Sequence, residues 1–362
     1  MKIENIVRKS VLSQPVYQAG KPIEYVAREF GLDPDGILKM ASNENPMGPC
    51  TKAIEAVSKS LDNLNYYPDG GCYELGRKIS KKMGLKPTQL VFGNGSNEVI
   101  ELVAHALLNE TDNAVMGAQS FIVYKLSTLL MGAEAREVPM PGLRYDLQQM
   151  LDAVDEKTKI VFLANPNNPT GTVLSQKEVF DFVRALPEHV VFCYDEAYSD
   201  FQDEPVDIRG LIAEGRNVIG LKTFSKIYGL AGLRAGYGYC SEELAGYINR
   251  VREPFNMNTL AQIAAMAALD DDEFYEKSKA MNKQGRAQIE KRFNELGLEY
   301  ISEGGNFIMV KVKDALKKFD ALQRVGVIVR PNVGYGLPDW LRITIGTPGQ
   351  NERFLAEFAK LL

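Results

Sequence analysis

Between about residue 90 and residue 270, short apolar runs rich in β-branched and aromatic residues alternate with helical patterns, and this alternation limits the chain to few folds. The runs are LVFG, AVMG, AREVP, KIVFLA, VVFCYD, VIGLK and AGYGYC. Strands that alternate with helices pair in parallel while the helices cross back over the sheet. The expected fold class is therefore α/β, with a mainly parallel, doubly wound sheet in a large domain. One connecting helix marks its own start, because Ser175 and Glu178 bracket a capping box in front of VFDFVRAL.

The pattern changes after Asp270. A long charged helix over about 272–296 is followed by NFIMVKV, a helix, GVIVR, LRITIG and a last helix, which reads as a smaller α+β domain. A chain of 362 residues exceeds the usual single core, so about two domains are expected. The N-terminal segment, residues 1–40, is too short to fold alone and is expected to pack with the small domain. The large domain then spans 41–270 and the small one 271–362.

Composition removes several classes of function. The 42 basic and 47 acidic residues give a net charge of -5 without a basic stripe, so no nucleic-acid partner is expected. The longest apolar runs fall far short of the roughly 20 residues that span a bilayer, and MKIENIVRKS lacks the apolar core of a signal peptide. A soluble, cytoplasmic protein without a membrane partner is expected. Cys50, Cys72, Cys193 and Cys240 are scattered without a CxxC, and His105 and His189 stand alone, so neither disulfides nor a metal site is supported.

In a doubly wound sheet, ligands gather at the carboxyl ends of the strands. After LVF the turn GNGSNE opens a helix, whose free N–H groups at Gly95, Ser96 and Asn97 suit an anion; the alternative is a plain tight turn. Glu98 stands where a dinucleotide fingerprint needs a small residue, so a single phosphate fits better than a pyrophosphate. After KIVFLA comes NPNNPTG, where Asn168 is either part of a polar turn or an amide presented to a flat ligand. After VVFCY comes DEAY. A carboxylate at the end of an apolar strand requires a cationic or protonated partner, and Asp195 meets that need through a neighbouring arginine or through a ligand. Tyr198 is a core aromatic or a phenol aimed at the same ligand. After VIGLK comes TFSKIYGLAGLRAG, where Lys226 is a surface cation or a nucleophile whose pKa is lowered by burial and by Arg234.

Taken as one site, a phosphate cradle, an amide, a carboxylate, a phenol and a lysine match one small molecule, pyridoxal 5'-phosphate. Its phosphate takes the helix N-terminus, its aldehyde the Lys226 amine, its ring nitrogen the Asp195 carboxylate, and its 3'-oxygen a donor such as Asn168 or Tyr198. An anion at Asp195 keeps the ring nitrogen protonated, and Lys226, displaced by substrate, becomes the general acid and base.

The motifs ASNENPMGP, YYPDG, GNGSNE, NPNNPTG, YDEAY, TFSKIYGLAGLRAG and LRITIGT occur in an order and spacing that resembles the aspartate-aminotransferase superfamily, the pyridoxal-phosphate enzymes of fold type I, over essentially the full chain. GKPIEYVAREFGLDPDGILKMASNENPMGP near the start, and GVIVRP and YGLPDWLRITIGT near the end, resemble its histidinol-phosphate aminotransferase branch. The resemblance implies a seven-stranded large sheet. It gives Lys226 the Schiff-base role, Asp195 the ring nitrogen, and Asn168 with Tyr198 the 3'-oxygen. Main-chain donors at Gly95, Ser96 and Asn97 hold the phosphate, helped by Thr223, Ser225 and Arg234. Most relatives carry Asp at the Asn97 position, but the contact is through the main chain. Phe121 matches the aromatic that stacks on the ring, where many relatives carry Tyr. Tyr67 matches a residue that reaches the partner subunit's cofactor phosphate, which implies a homodimer.

The same resemblance makes Arg342 the anion-gripping arginine of the substrate and adds Arg330, Tyr17 and Asn43 to the substrate's phosphate site. The implied reaction exchanges amino and keto groups between histidinol phosphate and 2-oxoglutarate, giving imidazole-acetol phosphate and glutamate. Phe255 stands where some histidinol-phosphate enzymes carry Tyr, which keeps an aromatic amino-acid aminotransferase in view. A decarboxylase of the same fold and a binding protein that has lost catalysis are the remaining alternatives, and the presence of Lys226, Asp195 and Asn168 together speaks against the last.

Overall fold

The computed structural model describes residues 2–16 and 20–362. A short strand, β1 (Leu38–Lys39), precedes the seven strands read from the sequence. These are β2 (Leu90–Asn94), β3 (Asn113–Gly117), β4 (Glu134–Val138), β5 (Thr158–Ala164), β6 (Val191–Asp195), β7 (Val218–Thr223) and β8 (Ala235–Tyr239). They form one sheet in the order β2-β8-β7-β6-β5-β3-β4. All neighbours are parallel except at β8, which runs antiparallel to both β2 and β7. The central strands are buried almost throughout, because helices cover both faces, and this explains why VFLA and VVFCY read as continuous apolar runs instead of alternating ones.

Each face of the sheet has its own core. Leu75, Val179, Phe182 and Ala264 pack on one side, and Ile100, Val103, Tyr124 and Ile248 on the other. The predicted capping box forms at the helix Gln176–Ala185: the Glu178 amide donates to Ser175 Oγ at 3.3 Å, and the Ser175 amide donates to Glu178 Oε2 at 2.7 Å.

The long helix Asp272–Glu295 leads into a second sheet with a third core, where Ile289 and Phe293 meet Ile308, Phe354 and Phe358. This sheet holds β9 (Tyr300–Ile301), β10 (Phe307–Lys311), β12 (Arg330–Asn332) and β13 (Leu337–Thr344) in the order β12-β13-β10-β9. GVIVR, expected as one strand, divides between two sheets. Its first part, β11 (Val327–Ile328), pairs in parallel with β1, and after Val329 the chain turns into β12. Pro331 sits within β12, an edge strand, where a missing N–H is tolerated. The β1–β11 pairing and the contact of Val26, Ala27 and Ile37 with Ile328 join the N-terminal segment to this region.

The registers bring the functional loops together. Ala164 stands opposite Asp195, Asp195 opposite Leu221, and Thr223 opposite Gly236, so the ends of β5, β6 and β7 and the start of β8 share one rim.

Candidate active site

At that rim lies a cavity of about 430 Å³. Ser96, Asn97, Phe121, Asn168, Asp195, Tyr198, Thr223, Ser225, Lys226 and Arg234, ten of the residues singled out in the sequence, line it from the large sheet. Asn43 reaches it from the loop after β1, and Arg330 and Arg342 from the second sheet.

Gly95 caps the helix Ser96–Leu107 with a φ of 81° and without a side chain, so the first N–H groups of that helix open into the cavity. Gly236 on the neighbouring strand makes this approach possible, since a Cβ there would overlap the Ser96 nitrogen. Arg234 closes the cradle. Its left-handed backbone (φ 59°) turns the guanidinium back, where Nη1 donates to Ala231 O at 3.2 Å and Ser225 Oγ at 3.5 Å and Nη2 to Asn94 O at 3.4 Å. The Asn97 side chain donates to Glu101 at 2.8 Å and so points along its own helix, which leaves the main chain to meet a ligand.

Asp195 is 5% exposed. Tyr124 Oη donates to its Oδ2 at 2.8 Å and the Ala197 amide to its Oδ1 at 3.0 Å, yet among the described residues it forms no ion pair. The arginine salt bridge considered from the sequence is therefore absent there. Burial pushes the Asp195 carboxyl up, against the hydrogen bonds from Tyr124 and Ala197 and the positive charge of Lys226. A buried acid with donors but no cation at bonding distance suits the protonated nitrogen of a heterocycle.

Lys226 Nζ donates to Ser42 O at 3.2 Å and lies 5.5 Å from the centre of the Tyr198 ring. Burial, then Arg342 and Arg234, bring its pKa down to about 8, while Glu44 and Asp195 oppose them. An amine with that pKa has a sizeable neutral fraction near neutrality and can attack a carbonyl. The cradle, the uncompensated acid and the activated amine thus each match one end of pyridoxal 5'-phosphate, and the residues fit it.

Asn43 lines the cavity and makes contacts the sequence did not show. It is buried, its Nδ2 donates to Tyr198 Oη at 3.0 Å, and its Oδ1 accepts from Thr344 Oγ1 at 3.2 Å, so it holds Tyr198 in place. Arg342, 7% exposed, donates through Nη1 to Asn168 Oδ1 and through Nη2 to Ala41 O at 2.8 Å. Asn168 consequently has its oxygen engaged and its NH2 available as a donor. Arg330 stands directly opposite Arg342 in the β12–β13 register.

Tyr67, expected to reach the partner subunit's cofactor, stands outside this cavity. Tyr67, 83% exposed, stacks on Phe255 with ring centroids 4.8 Å apart, and neither lines the cavity. Tyr17 lies outside the described residues. The sequence reading missed Tyr124, although it follows Phe121 at helical spacing; its ring stacks on Phe162 at 4.9 Å, which aims its hydroxyl at Asp195. It also missed Glu44, in a loop, and Tyr335, in a single 3-10 turn after β12, which line the cavity without a signal of their own.

The family profile "Aminotransferase class I and II" matches residues 35–358. The chain is 46% identical to the histidinol-phosphate aminotransferase of Akkermansia muciniphila, with all of both chains covered. It is also 46% identical to histidinol-phosphate aminotransferase 2 of Pasteurella multocida, again over the whole of both. Among solved structures, histidinol-phosphate aminotransferase from Sinorhizobium meliloti in complex with pyridoxal-5'-phosphate superposes with a TM-score of 0.89 at 25% identity, covering 98% of each chain. With the cradle, the acid and the lysine brought to one cavity and with these relatives spanning it end to end, the chain belongs to the class I and II aminotransferases, in the histidinol-phosphate aminotransferase family.

Proposed function

We propose that the protein transfers the amino group of histidinol phosphate to 2-oxoglutarate, giving imidazole-acetol phosphate and glutamate in two half-reactions at one site, as a step of histidine biosynthesis. The observation that carries the substrate assignment is the facing pair Arg330 and Arg342. Like charges directly opposite on paired strands oppose each other, and a doubly charged phosphate in the cavity that both line relieves the repulsion. A second cationic pole, Arg234 with the helix N-terminus at Ser96, lies in the same cavity, so one phosphate on the cofactor and one on the substrate each have a seat.

Ser96, Asn97, Thr223, Ser225 and Arg234 would hold the pyridoxal 5'-phosphate phosphate, Phe121 its ring face, and Asn168 with Tyr198 its 3'-oxygen. When bound, the cofactor supplies a carbonyl for the amino group and a sink for the electrons of the substrate Cα–H bond. Asp195 would keep the proton on the ring nitrogen. Lys226 Nζ would hold the cofactor through its carbonyl carbon and would serve as the base and acid for the proton of substrate Cα. Arg330 and Arg342 orient the substrate by its anionic end, and 2-oxoglutarate uses the same arginines through a carboxylate.

The cofactor-binding residues lie within 41–270 and the facing arginines within 271–362. We read these as a large and a small domain, with residues 1–40 packed on the small one. We place the enzyme in the cytoplasm and assign it as a homodimer, in which Tyr67 reaches the partner subunit's cofactor phosphate. Beside Tyr67 the surface exposes Leu61, Leu64 and Tyr66, an apolar face of the kind that subunits cover. No described helix is long and apolar enough to cross a membrane.

The deciding experiment compares kcat/KM for histidinol phosphate, phenylalanine and tyrosine with 2-oxoglutarate as acceptor. Histidinol phosphate is expected to lead; preference for an aromatic amino acid, or carbon dioxide release without any need for 2-oxoglutarate, would overturn the assignment.

A further inference from the structure

A second cavity, of about 650 Å³, lies behind the wall of the first. Its size falls within the ~300–1,000 Å³ of small-molecule sites. Thr223 borders both cavities, and the inner end of the second is formed by neighbours of the active-site residues: Glu196 follows Asp195, and Lys222 precedes Thr223. Neither Glu196 nor Lys222 takes part in the transamination described above.

One wall is aromatic. Tyr237, Phe224, Tyr228 and Tyr275 form a row with successive ring centroids 6.0, 5.2 and 5.7 Å apart. At the inner end a single ammonium serves two carboxylates, since Lys222 Nζ lies 3.3 Å from Glu196 and 3.5 Å from Asp200. Tyr239 donates a hydrogen bond to Glu196, and Tyr275 Oη donates to Asp200 Oδ1 at 3.2 Å. Asp200 Oδ2 accepts no hydrogen bond among the described residues. At the mouth Lys82 pairs with Asp272 and Arg209 with Asp207, and Glu276 adds one more carboxylate. Every cation of the cavity is engaged, and the carboxylates outnumber them.

We infer that this cavity is a second ligand site, which takes a small organic cation against the tyrosine row and balances its charge on Asp200 and Glu276. Tyrosine faces attract alkylammonium groups, and a neighbouring carboxylate strengthens the attraction. An anion would meet the surplus of negative charge. A neutral apolar molecule would bury Asp200 without supplying a donor for its open oxygen.

The test is calorimetric titration of the holoenzyme with choline, a quaternary ammonium that has no N–H and so cannot serve as an amino donor. Its uncharged carbon counterpart, 3,3-dimethylbutan-1-ol, is the control. One saturable event per chain is expected for choline, with the alcohol about tenfold weaker or silent. Asp200→Asn is expected to weaken choline by about tenfold. Should that variant fail to fold, Glu276→Gln at the exposed mouth replaces it, with an expected loss of about twofold or more. Absence of saturable choline binding, equal affinity for the alcohol, or unchanged affinity in whichever folded variant is tested overturns the inference.

Discussion

Arg330 and Arg342 are direct cross-strand partners on β12 and β13, and both line the cavity of Lys226. Two guanidinium groups on one wall give that part of the cavity a positive potential, which attracts a dianion. Arg330→Gln is therefore expected to raise KM for histidinol phosphate by roughly 10–100-fold, the worth of about 1.5–3 kcal/mol for a charge-assisted hydrogen bond. In thermal-shift measurements inorganic phosphate should stabilise the wild type more than Arg330→Gln.

The Tyr124 hydroxyl supports the ionised form of Asp195, whose carboxyl burial already pushes upward. Tyr124→Phe keeps the ring on Phe162 and removes the donor. The carboxyl pKa then rises further, so protonation of Asp195 sets in at a higher pH as the solution is acidified. The acid limb of the kcat profile is expected to move to higher pH, with a fall in kcat of roughly 10-fold or more at neutrality. An unchanged acid limb would show that another group sets it.

Lys226 has its pKa at about 8 because burial and two arginines disfavour its charged form. Only the neutral amine bonds the cofactor, so the rate of cofactor attachment to apoenzyme should climb with pH and level off above about 8. Arg342→Gln removes one of the two positive charges and should move that rise to higher pH. Lys226→Ala is expected to abolish both the visible band of covalently bound cofactor and turnover. Full activity in that variant would end the assignment of the site.

Much of this was legible from the sequence. All seven strands of the large sheet were, the central ones because strands covered on both faces must be continuously apolar, and β2, β5, β6 and β7 each end at a polar motif on the ligand rim. The division of GVIVR between two sheets was not, since nothing in five apolar or basic residues marks a change of partner at Val329. Tyr124 escaped, and so did the contact of Asn43 with Tyr198, for a related reason: each acts on another site residue, and such second contacts depend on tertiary packing. The competing salt-bridge reading of Asp195 could be judged only once its neighbours were in place.

Tyr67 stacks on Phe255 while its hydroxyl end stays exposed, a geometry suited to reaching another chain. Tyr67→Phe should keep the stack and the oligomer, which light scattering would verify as a dimer, yet release cofactor more readily. Loss of one hydrogen bond to a charged phosphate is worth about 1.5–3 kcal/mol, or roughly a 10–100-fold rise in cofactor Kd. A monomeric wild-type protein, or an unchanged Kd, would remove Tyr67 from the site.

Gly236 has a structural role in the proposed phosphate cradle. A methyl group there would overlap the Ser96 nitrogen and the Gly95 carbonyl carbon, both backbone atoms that cannot rotate away. Gly236→Ala must therefore push the helix N-terminus outward or displace β8. Overpacking of this kind costs about 1–3 kcal/mol, which the extensive hydrogen bonding of β8 to β2 and β7 can absorb without global unfolding. Cofactor affinity should suffer more than stability, because the displaced N–H groups are the ones proposed to hold the phosphate. The measurement is cofactor Kd from absorbance titration beside the thermal midpoint. A variant that loses several degrees but keeps its Kd would show that the cradle tolerates displacement, and that Arg234, Ser225 and Thr223 hold the phosphate without it.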